Sequence, residues 1–261
     1  MKQIAALETE LRTVIISAWN EVGSCEMNGN STLRAMLPYH PSTVAEALHS
    51  ILDSAAASRG YATLAIPGGR SPGLVLSALA GICEPFLLER LHLLWLDERA
   101  VPVGHADRND ALTLAAWKTG GALPAHVYPM PAERDDLEAA AVEYARALNQ
   151  ATKGTGIIDV CLIGIGEDGH LASLFPNHSG LQELAEVFVI TDSPKPPSKR
   201  LSFSLPVLHR ARHHVVLALG AAKGVVVKKA RLGPDKSLPI SLLPVNKTVW
   251  YLDDAAVTTA S

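Results

Sequence analysis

Short apolar runs that alternate with helical stretches constrain the fold of this 261-residue chain more than any other feature. A short apolar run is typical of a buried strand, and apolar residues at helical spacing are typical of an amphipathic helix. The predicted strands span residues 62–66, 91–96, 157–163, 187–190, 215–219 and 248–252. The predicted helices span residues 3–21, 42–58, 107–118, 133–150 and 221–231. Because continuously apolar strands must be covered on both faces, the pattern predicts an α/β fold with a mostly parallel sheet.

No internal repeat, low-complexity tract or domain boundary interrupts this pattern. We therefore expect a single domain over residues 1–261, with residues 1–40 as an N-terminal helical extension. Charged residues make up only 19% of the chain and hydrophobic residues 48%, which excludes intrinsic disorder. The net charge of −3, without a basic tract, argues against sequence-independent binding of nucleic acid.

Several features together predict a cytoplasmic protein. No apolar run is long enough to span a membrane, and the first residues, MKQIAALETELR, lack the apolar core of a secretory signal. Cys25, Cys83 and Cys161 are odd in number and widely separated, which excludes a disulfide scaffold and a zinc ribbon and fits a reducing compartment. His209 and His213 have metal-ligand spacing, but no HExxH acid accompanies them, so no metal site is predicted.

The loop after the first predicted strand has the features of a phosphate site. In a parallel sheet, ligands bind where loops follow the carboxyl ends of the strands. Gly68 and Gly69 allow the backbone to approach a ligand closely. Pro72 suits the first helical position, so the amides at the start of the next helix would face an anion, and Ser71 adds a hydroxyl. A plain tight turn is the alternative.

The same loop matches the GxSxG nucleophile elbow of serine hydrolases over residues 69–73. That mechanism uses the backbone N–H after the serine to stabilise an oxyanion, and here this residue is Pro72, which has no N–H. The physical chemistry therefore disfavours a serine nucleophile.

The loop after strand 91–96 contains two carboxylates and an arginine in the segment DERAVP. The Arg99 guanidinium matches the oxygens of a phosphate or a carboxylate. Asp97 and Glu98 are costly to desolvate unless the site uses them, and a structural ion-pair cluster is the alternative. His105 and Asn109 are interpreted as loop and helix-start residues.

The loop after strand 157–163 carries the pair expected to do the chemistry. Asp168 and His170, separated by one glycine, can converge on one small molecule. Histidine is the side chain best able to accept and return a proton near neutral pH. We therefore expect His170 to be catalytic, the alternative being a histidine that only packs the loop.

Further cations follow in the last third of the chain. Lys223 lies in the first turn of the helix over 221–231, where the helix dipole disfavours a cation unless it meets an anion. Arg200 follows the Pro-rich stretch 192–198, which predicts a stiff loop. A solvated basic patch is predicted from Arg210, Arg212, His213 and His214.

Taken together, these segments resemble the 6-phosphogluconolactonase family, which shares a superfamily with glucosamine-6-phosphate deaminase. The match runs in register from about residue 40 to residue 256. It is carried by GGRSP (68–72), DERAVP (97–102), GIGEDGHLASLFPN (164–177), KRLSFSLPVLHRARHHVVLALGAAK (199–223) and VWYLDDAA (249–256). Arg70-Ser71 stands where Ser-Thr is commoner, and Asn177-His178 replaces a usual glycine.

The resemblance implies a Rossmann-like three-layer α/β/α sandwich without metal or cofactor, acting on a small-molecule sugar phosphate lactone. It implies that His170 activates water against the lactone carbonyl and protonates the departing ring oxygen, with Asp168 ordering the site. The residues implied for the 6-phosphate are Gly68, Gly69, Ser71, Arg99, Lys223 and, as a further candidate, Arg200. A monomer or weak homodimer without nucleic-acid or membrane partners is expected.

Two alternatives from other classes remain. In the related sugar-phosphate deaminases or isomerases, the active loop resembles Asp-Gly-His followed by Asn-Glu-Pro, and the glutamate pairs with the histidine. Here Phe175 stands five residues after His170 in place of that carboxylate. A non-catalytic sugar-phosphate sensor could reuse the same fold, although no DNA-binding module is visible in the sequence.

Overall fold

The computed structural model describes residues 36–260, so the helix predicted over 3–21 and Cys25 lie outside the described residues. Seven strands of this part form the main sheet: β1 (Met36–Pro38), β2 (Ala62–Ile66), β3 (Leu91–Trp95), β5 (His126–Tyr128), β6 (Val160–Gly164), β9 (His213–Ala218) and β10 (Thr248–Leu252). All neighbours pair in parallel, in the spatial order β1-β10-β9-β6-β2-β3-β5. A second sheet of three antiparallel strands contains β4 (Asp97–Arg99), β8 (Arg200–Phe203) and β7 (Val187–Ile190).

Helices connect the strands and pack beside one another. The α-helices of the described part are α1 (Pro41–Arg59), α2 (Arg70–Ile82), α3 (Pro85–Leu88), α4 (Asn109–Gly120), α5 (Leu137–Ala151), α6 (Leu205–Arg210), α7 (Ala221–Ala230) and α8 (Asp254–Ala260). Helix α2 packs between α1 and α4, and α7 packs against α8. Every residue of β2, β3 and β10 is buried. Because successive side chains point to opposite faces, both faces of the main sheet are covered, which confirms the predicted α/β architecture.

Five of the six predicted strands lie in the main sheet. The sixth, Val187–Ile190, also forms a strand, but it belongs to the antiparallel sheet. Four strands were not predicted, namely β1, β4, β5 and β8, and each has only three or four residues.

Two helices begin later than the sequence pattern suggests, and a buried or capping carboxylate sets each start. Helix α4 begins at Asn109 rather than at residue 107, because the Glu98 carboxylate accepts the Asn109 and Asp110 amide hydrogens at 2.8 and 2.9 Å. Helix α5 begins at Leu137 rather than at residue 133, because Asp136 accepts the Ala139 amide hydrogen at 2.9 Å.

The topology brings the candidate loops to one place. Strands β9, β6, β2 and β3 are neighbours, so the loops after their carboxyl ends meet at the same edge of the sheet. Strand β4 follows β3 at once and pairs with β8, which places Arg99 opposite Arg200. Within residues 36–260, no helix has the length and apolarity needed to cross a membrane.

Candidate active site

A cavity of about 280 Å³ opens at the carboxyl ends of β2, β3, β6 and β9. It is bordered by seven of the eight predicted site residues: Gly68, Gly69, Ser71, Arg99, His170, Arg200 and Lys223. The eighth, Asp168, lies behind His170 and contacts it directly. Residues from loops more than a hundred positions apart in the sequence therefore converge on one cavity.

His170 and Asp168 form a close pair. His170 Nδ1 lies 2.5 Å from Asp168 Oδ1, and the His170 amide donates to the same oxygen at 3.4 Å. A Cβ atom at position 166 would overlap both the imidazole and the carboxylate, so Gly166 leaves the space in which they meet. The ring of Phe175 lies 4.9 Å from the imidazole, centroid to centroid.

The electrostatics of this pair leave one imidazole nitrogen available. Burial opposes ionisation of Asp168, but the hydrogen bonds from His170 and Lys195 outweigh it and hold the pKa of the carboxyl well below its usual value. An ionised carboxylate only accepts hydrogen bonds, so His170 Nδ1 carries the proton and donates a hydrogen bond to Asp168. Burial lowers the pKa of His170 although Asp168 opposes this, so the imidazole is neutral at neutral pH. Nε2, which has no hydrogen-bond partner within residues 36–260, can accept a proton.

The start of α2 forms one wall of the cavity. The amides in the first turn of a helix have no partner inside the helix and attract anions. Gly68 is in close contact with the Asn109 side chain, whose position any Cβ atom there would occupy. Ser71 and Arg70 also border the cavity, Arg70 with an exposed side chain. Helix α2 starts at Arg70, so Pro72 is its third residue and not its first as the sequence analysis expected.

Arg99 and Lys223 add positive charge to the same wall. Arg99 Nη1 donates to the Asp107 carbonyl at 2.7 Å, whereas its buried Nε has no partner within the described part of the chain. Lys223 lies in the first turn of α7, and burial lowers the pKa of its ammonium although Glu167 opposes this. An anion in the cavity would supply both groups with a partner.

Arg200 borders the cavity, but most of its guanidinium hydrogens are used in hydrogen bonds within the protein. It is only 3% exposed, and its Nε donates to the Pro197 carbonyl at 3.1 Å. Nη2 donates to the carbonyls of Lys195 and Pro196 at 2.9 and 3.3 Å. Only Nη1 faces other groups, Ser173 Oγ at 3.4 Å and Asp97 Oδ2 at 3.9 Å, and could reach a ligand.

Asp97 and Glu98 have separate roles, but the ion-pair alternative holds in part. Glu98 Oε2 lies 3.7 Å from Nε of the buried Arg108, and Asp97 Oδ2 lies 3.9 Å from Arg200 Nη1. Asp97 borders the cavity, where Ser173 Oγ donates to it at 2.6 Å. Glu98 is fully buried and accepts the amide hydrogens of Arg99, Asn109 and Asp110. Burial raises the pKa of Glu98 to about 7, against the effect of these three bonds and of the nearby Arg108 guanidinium. Glu98 thereby fixes the start of α4 and with it the Asn109 side chain.

Sequence reasoning missed one contact and undervalued another. Lys195 Nζ lies 3.0 Å from Asp168 Oδ2 and 3.2 Å from His170 Nδ1. Its only sequence signal was a lysine in a Pro-rich loop, 25 positions after the histidine. Asn109, interpreted as a helix-start residue, borders the cavity and donates to the Asp97 carbonyl at 2.9 Å.

The predicted basic patch is wrong in part. His214 is fully buried, and its Nε2 lies 2.8 Å from the Leu208 carbonyl oxygen, because it belongs to the central strand β9. Arg210 forms an ion pair with Glu186. His209 Nε2 lies 2.8 Å from the Leu242 carbonyl oxygen. Across residues 36–260, no three His, Cys, Asp or Glu side chains group in a way that could hold a metal ion.

Comparison with known proteins agrees with this geometry. Residues 41–250 match the family described as glucosamine-6-phosphate isomerases/6-phosphogluconolactonase. The chain is 36% identical over 220 residues to 6-phosphogluconolactonase of Mycobacterium leprae, an alignment that covers 80% of this chain and 89% of that protein. It is 34% identical over 210 residues to the human 6-phosphogluconolactonase, covering 77% of this chain and 81% of that one.

Among solved structures, the crystal structure of 6-phosphogluconolactonase from Thermotoga maritima is similar, with a TM-score of 0.74 at 23% identity. The superposition covers 84% of this chain and 98% of that chain. At this level of identity, the likeness concerns the fold.

Proposed function

The chain belongs to the glucosamine-6-phosphate isomerase/6-phosphogluconolactonase family, and from this premise we propose that its cavity binds 6-phospho-D-glucono-1,5-lactone and that His170 drives its hydrolysis to 6-phospho-D-gluconate. This is the lactonase step of the oxidative pentose phosphate pathway. The observation that carries the proposal is the His170–Asp168 pair beside a cavity that is also bordered by the start of α2, Arg99 and Lys223.

The proposed reaction needs one base, which becomes the acid of the second step. His170 Nε2 accepts a proton from water as the water oxygen bonds to the lactone carbonyl carbon. When the tetrahedral intermediate collapses, the bond from that carbon to the ring oxygen breaks and the imidazolium returns the proton to this oxygen. Asp168 stabilises the imidazolium through Nδ1 in between. A lactone is already an activated ester, so a covalent nucleophile is not required.

The phosphate is proposed to bind at the other wall, away from the reacting carbon. The first-turn amides of α2, the Ser71 hydroxyl and the cations Arg99 and Lys223 face this part of the cavity. Gly68 and Gly69 let the backbone approach, and Arg200 can add Nη1. Binding energy from the phosphate then orients the lactone against His170.

The other activity in the family's description, sugar-phosphate isomerisation, is disfavoured by the residue beside the histidine. Phe175 is fully buried, with its ring against the imidazole and the Arg200 guanidinium 5.4 Å from the ring centroid. Phe175 therefore makes an apolar contact with the imidazole at the position where an isomerase would need a carboxylate. The serine-hydrolase reading also lacks support, because Ser71 has no hydrogen bond to a histidine within residues 36–260.

The test is a pH-stat assay of freshly prepared 6-phosphogluconolactone, corrected for its spontaneous hydrolysis. We expect the purified protein to accelerate hydrolysis equally with and without EDTA, and to act poorly on unphosphorylated gluconolactone. Zinc-reversible loss of turnover in EDTA would show that the metal-free mechanism is wrong. Equal rates on the two lactones would show that the phosphate group does not contribute to recognition of the substrate.

We further propose that the protein works in the cytoplasm as a single domain, either as a monomer or as a weak homodimer, without a nucleic-acid partner. Cys83 and Cys161 are free thiols. Size-exclusion chromatography with light scattering, at several protein concentrations, tests the oligomeric state.

A further inference from the structure

Lys195 lies against the proposed catalytic pair but outside the lining of the cavity. Its ammonium contacts Asp168 Oδ2 at 3.0 Å, while the other carboxylate oxygen, Oδ1, faces His170 Nδ1 at 2.5 Å. The same ammonium lies 3.2 Å from His170 Nδ1. Both oxygens of Asp168 are thus engaged, one by the lysine and one by the imidazole.

The loop that carries Lys195 is held in place by hydrogen bonds from the side chains of Arg200 and Ser193. The Lys195 carbonyl accepts hydrogen bonds from Arg200 Nη2 at 2.9 Å and from Ser193 Oγ at 2.8 Å. Arg200 also holds the Pro197 carbonyl at 3.1 Å. Because Arg200 is buried, the lysine side chain extends from a fixed backbone position rather than from a free surface loop.

We propose that Lys195 is a positioning residue for the lactonase reaction, holding the Asp168 carboxylate by Oδ2 so that Oδ1 faces His170 Nδ1 and Nε2 stays the proton-accepting nitrogen. This inference rests on the proposed function. An ammonium at Oδ2 fixes the rotation of the carboxylate, which a single hydrogen bond from the imidazole does not do. The tautomer of a histidine is set by the partner of its other nitrogen, so fixing Asp168 also fixes His170.

Lys195 also balances the charges around the imidazole. Asp168 and Asp97 favour protonation of His170, whereas burial and Lys195 disfavour it. The other charged groups at the cavity, Arg70, Arg99, Arg200 and Lys223, are cations. Without the Lys195 charge, the Asp168 carboxylate stabilises the imidazolium with less opposition from a cation, so the pKa of His170 should rise. More of the enzyme then carries an imidazolium, which cannot accept the proton of water.

The experiment compares Lys195→Met with Lys195→Arg, which keeps the charge, and with Lys199→Met as the matched control. Lys199 is an exposed lysine of the same loop that borders neither the pair nor the cavity. Two quantities are measured for each protein: the titration of His170 by NMR of the ring nitrogens in the substrate-free state, and the pH profile of kcat. Calorimetric melting confirms that each variant is folded, and Lys195→Gln is a second neutral variant.

We expect Lys195→Met to move both the His170 titration and the acid limb of kcat to higher pH by roughly 0.5–1 unit, the effect of one nearby charge in a partly solvated site. Lys195→Arg should restore most of the wild-type profile, and Lys199→Met should keep it. The affinity for 6-phosphogluconate should change little, because Lys195 does not border the cavity.

Two results would overturn the inference. One is an unshifted His170 titration in folded Lys195→Met and Lys195→Gln. The other is a large loss of 6-phosphogluconate affinity without that shift, which would make the lysine a binding residue. The NMR titration needs no turnover, so it decides this inference even if the wild-type protein has no lactonase activity, a result that would count against the proposed function alone.

Discussion

A single missing Cβ atom governs the geometry on which the proposed chemistry depends. At position 166, a side chain would occupy the space now taken by the His170 imidazole and the Asp168 carboxylate. The glycine therefore does for this pair what Gly68 does for Asn109: it lets a polar side chain approach the backbone. Each glycine thereby fixes the position of a group that borders the cavity or supports it.

Gly166→Ala should accordingly reduce kcat by roughly 100-fold, the order of loss expected when a catalytic group is displaced by about 1 Å. The dissociation constant of 6-phosphogluconate should stay within a few-fold of the wild-type value, because the proposed phosphate site lies at the other wall of the cavity. Gly81→Ala is the matched control, since a Cβ atom there meets only ordinary contacts, the nearest at 3.6 Å from the Gly120 carbonyl oxygen. A fully active Gly166→Ala enzyme would show that the His170–Asp168 contact is dispensable.

The sequence pointed to His170 and Asp168 because they share one short loop after a strand, but it did not point to Lys195. A contact across 25 positions depends on where two loops meet, and no local pattern encodes that meeting. For Arg200, the sequence likewise did not show which groups its side chain contacts. The sequence indicated a cation near the site, whereas the structure shows that two of its three nitrogens are bonded to carbonyls of the 195–197 segment.

At the scale of elements, the start of α4 depends on one buried carboxylate. Burial raises the pKa of Glu98 to about 7, so the folded protein holds a proton there over a pH range in which the unfolded carboxyl has lost it. The contribution of Glu98 to the free energy of unfolding is therefore complete at acidic pH, below the pKa of the unfolded carboxyl. It declines as the pH rises toward 7.

Glu98→Gln removes this titration, so its free energy of unfolding should fall less than that of the wild-type protein between pH 5 and pH 8. Urea unfolding at the two pH values measures the difference. Glu133→Gln is the control: Glu133 pairs with Arg108, as Glu98 does, but is partly exposed, and its variant should follow the wild-type dependence. Parallel curves for Glu98→Gln and the wild type would mean that Glu98 does not titrate in this range.

The first turns of α2 and α7, together with the end of β4, border the part of the cavity where we propose that the phosphate binds. Arg99→Ala and Lys223→Ala should each weaken 6-phosphogluconate binding by about 10- to 150-fold, since a charge-assisted hydrogen bond contributes about 1.5–3 kcal/mol. Lys118→Ala, which removes a positive charge from the exposed end of α4, should leave the affinity unchanged. Isothermal calorimetry at one ionic strength measures all three. If Lys118→Ala weakened binding as strongly, the effect would come from net charge rather than from the wall.

The long strands were predictable and the short ones were not, for a physical reason. Strands β2, β3 and β10 have five buried residues each, so their apolar runs stand out from the surrounding sequence. Strand β4 has three residues, two of them acidic, and owes its extended form to pairing with β8. Such pairing is a tertiary contact, and polar residues that serve the site replace the apolar residues by which a strand is recognised.

For the whole molecule, a parallel sheet concentrates function at one edge, and this made the position of the site predictable. The four strands β9, β6, β2 and β3 are neighbours although they are far apart in the chain, and their loops supply most of the cavity lining. Continuous apolar runs implied the sheet, and the polar loops after them implied the site. The antiparallel sheet, which carries Arg99 and Arg200 at the cavity, was not predicted as a separate sheet, although one of its strands, Val187–Ile190, was predicted.

The central claim is that His170 transfers the proton in the lactone hydrolysis proposed for this molecule. The most direct test is the turnover of His170→Asn on 6-phosphogluconolactone, measured with melting temperature and 6-phosphogluconate affinity on one preparation. Asparagine keeps a polar side chain but has no nitrogen that accepts a proton near neutral pH. We expect kcat to fall by about 10²–10⁴-fold while the affinity for 6-phosphogluconate stays nearly unchanged. A folded His170→Asn protein with near-wild-type turnover would contradict the claim.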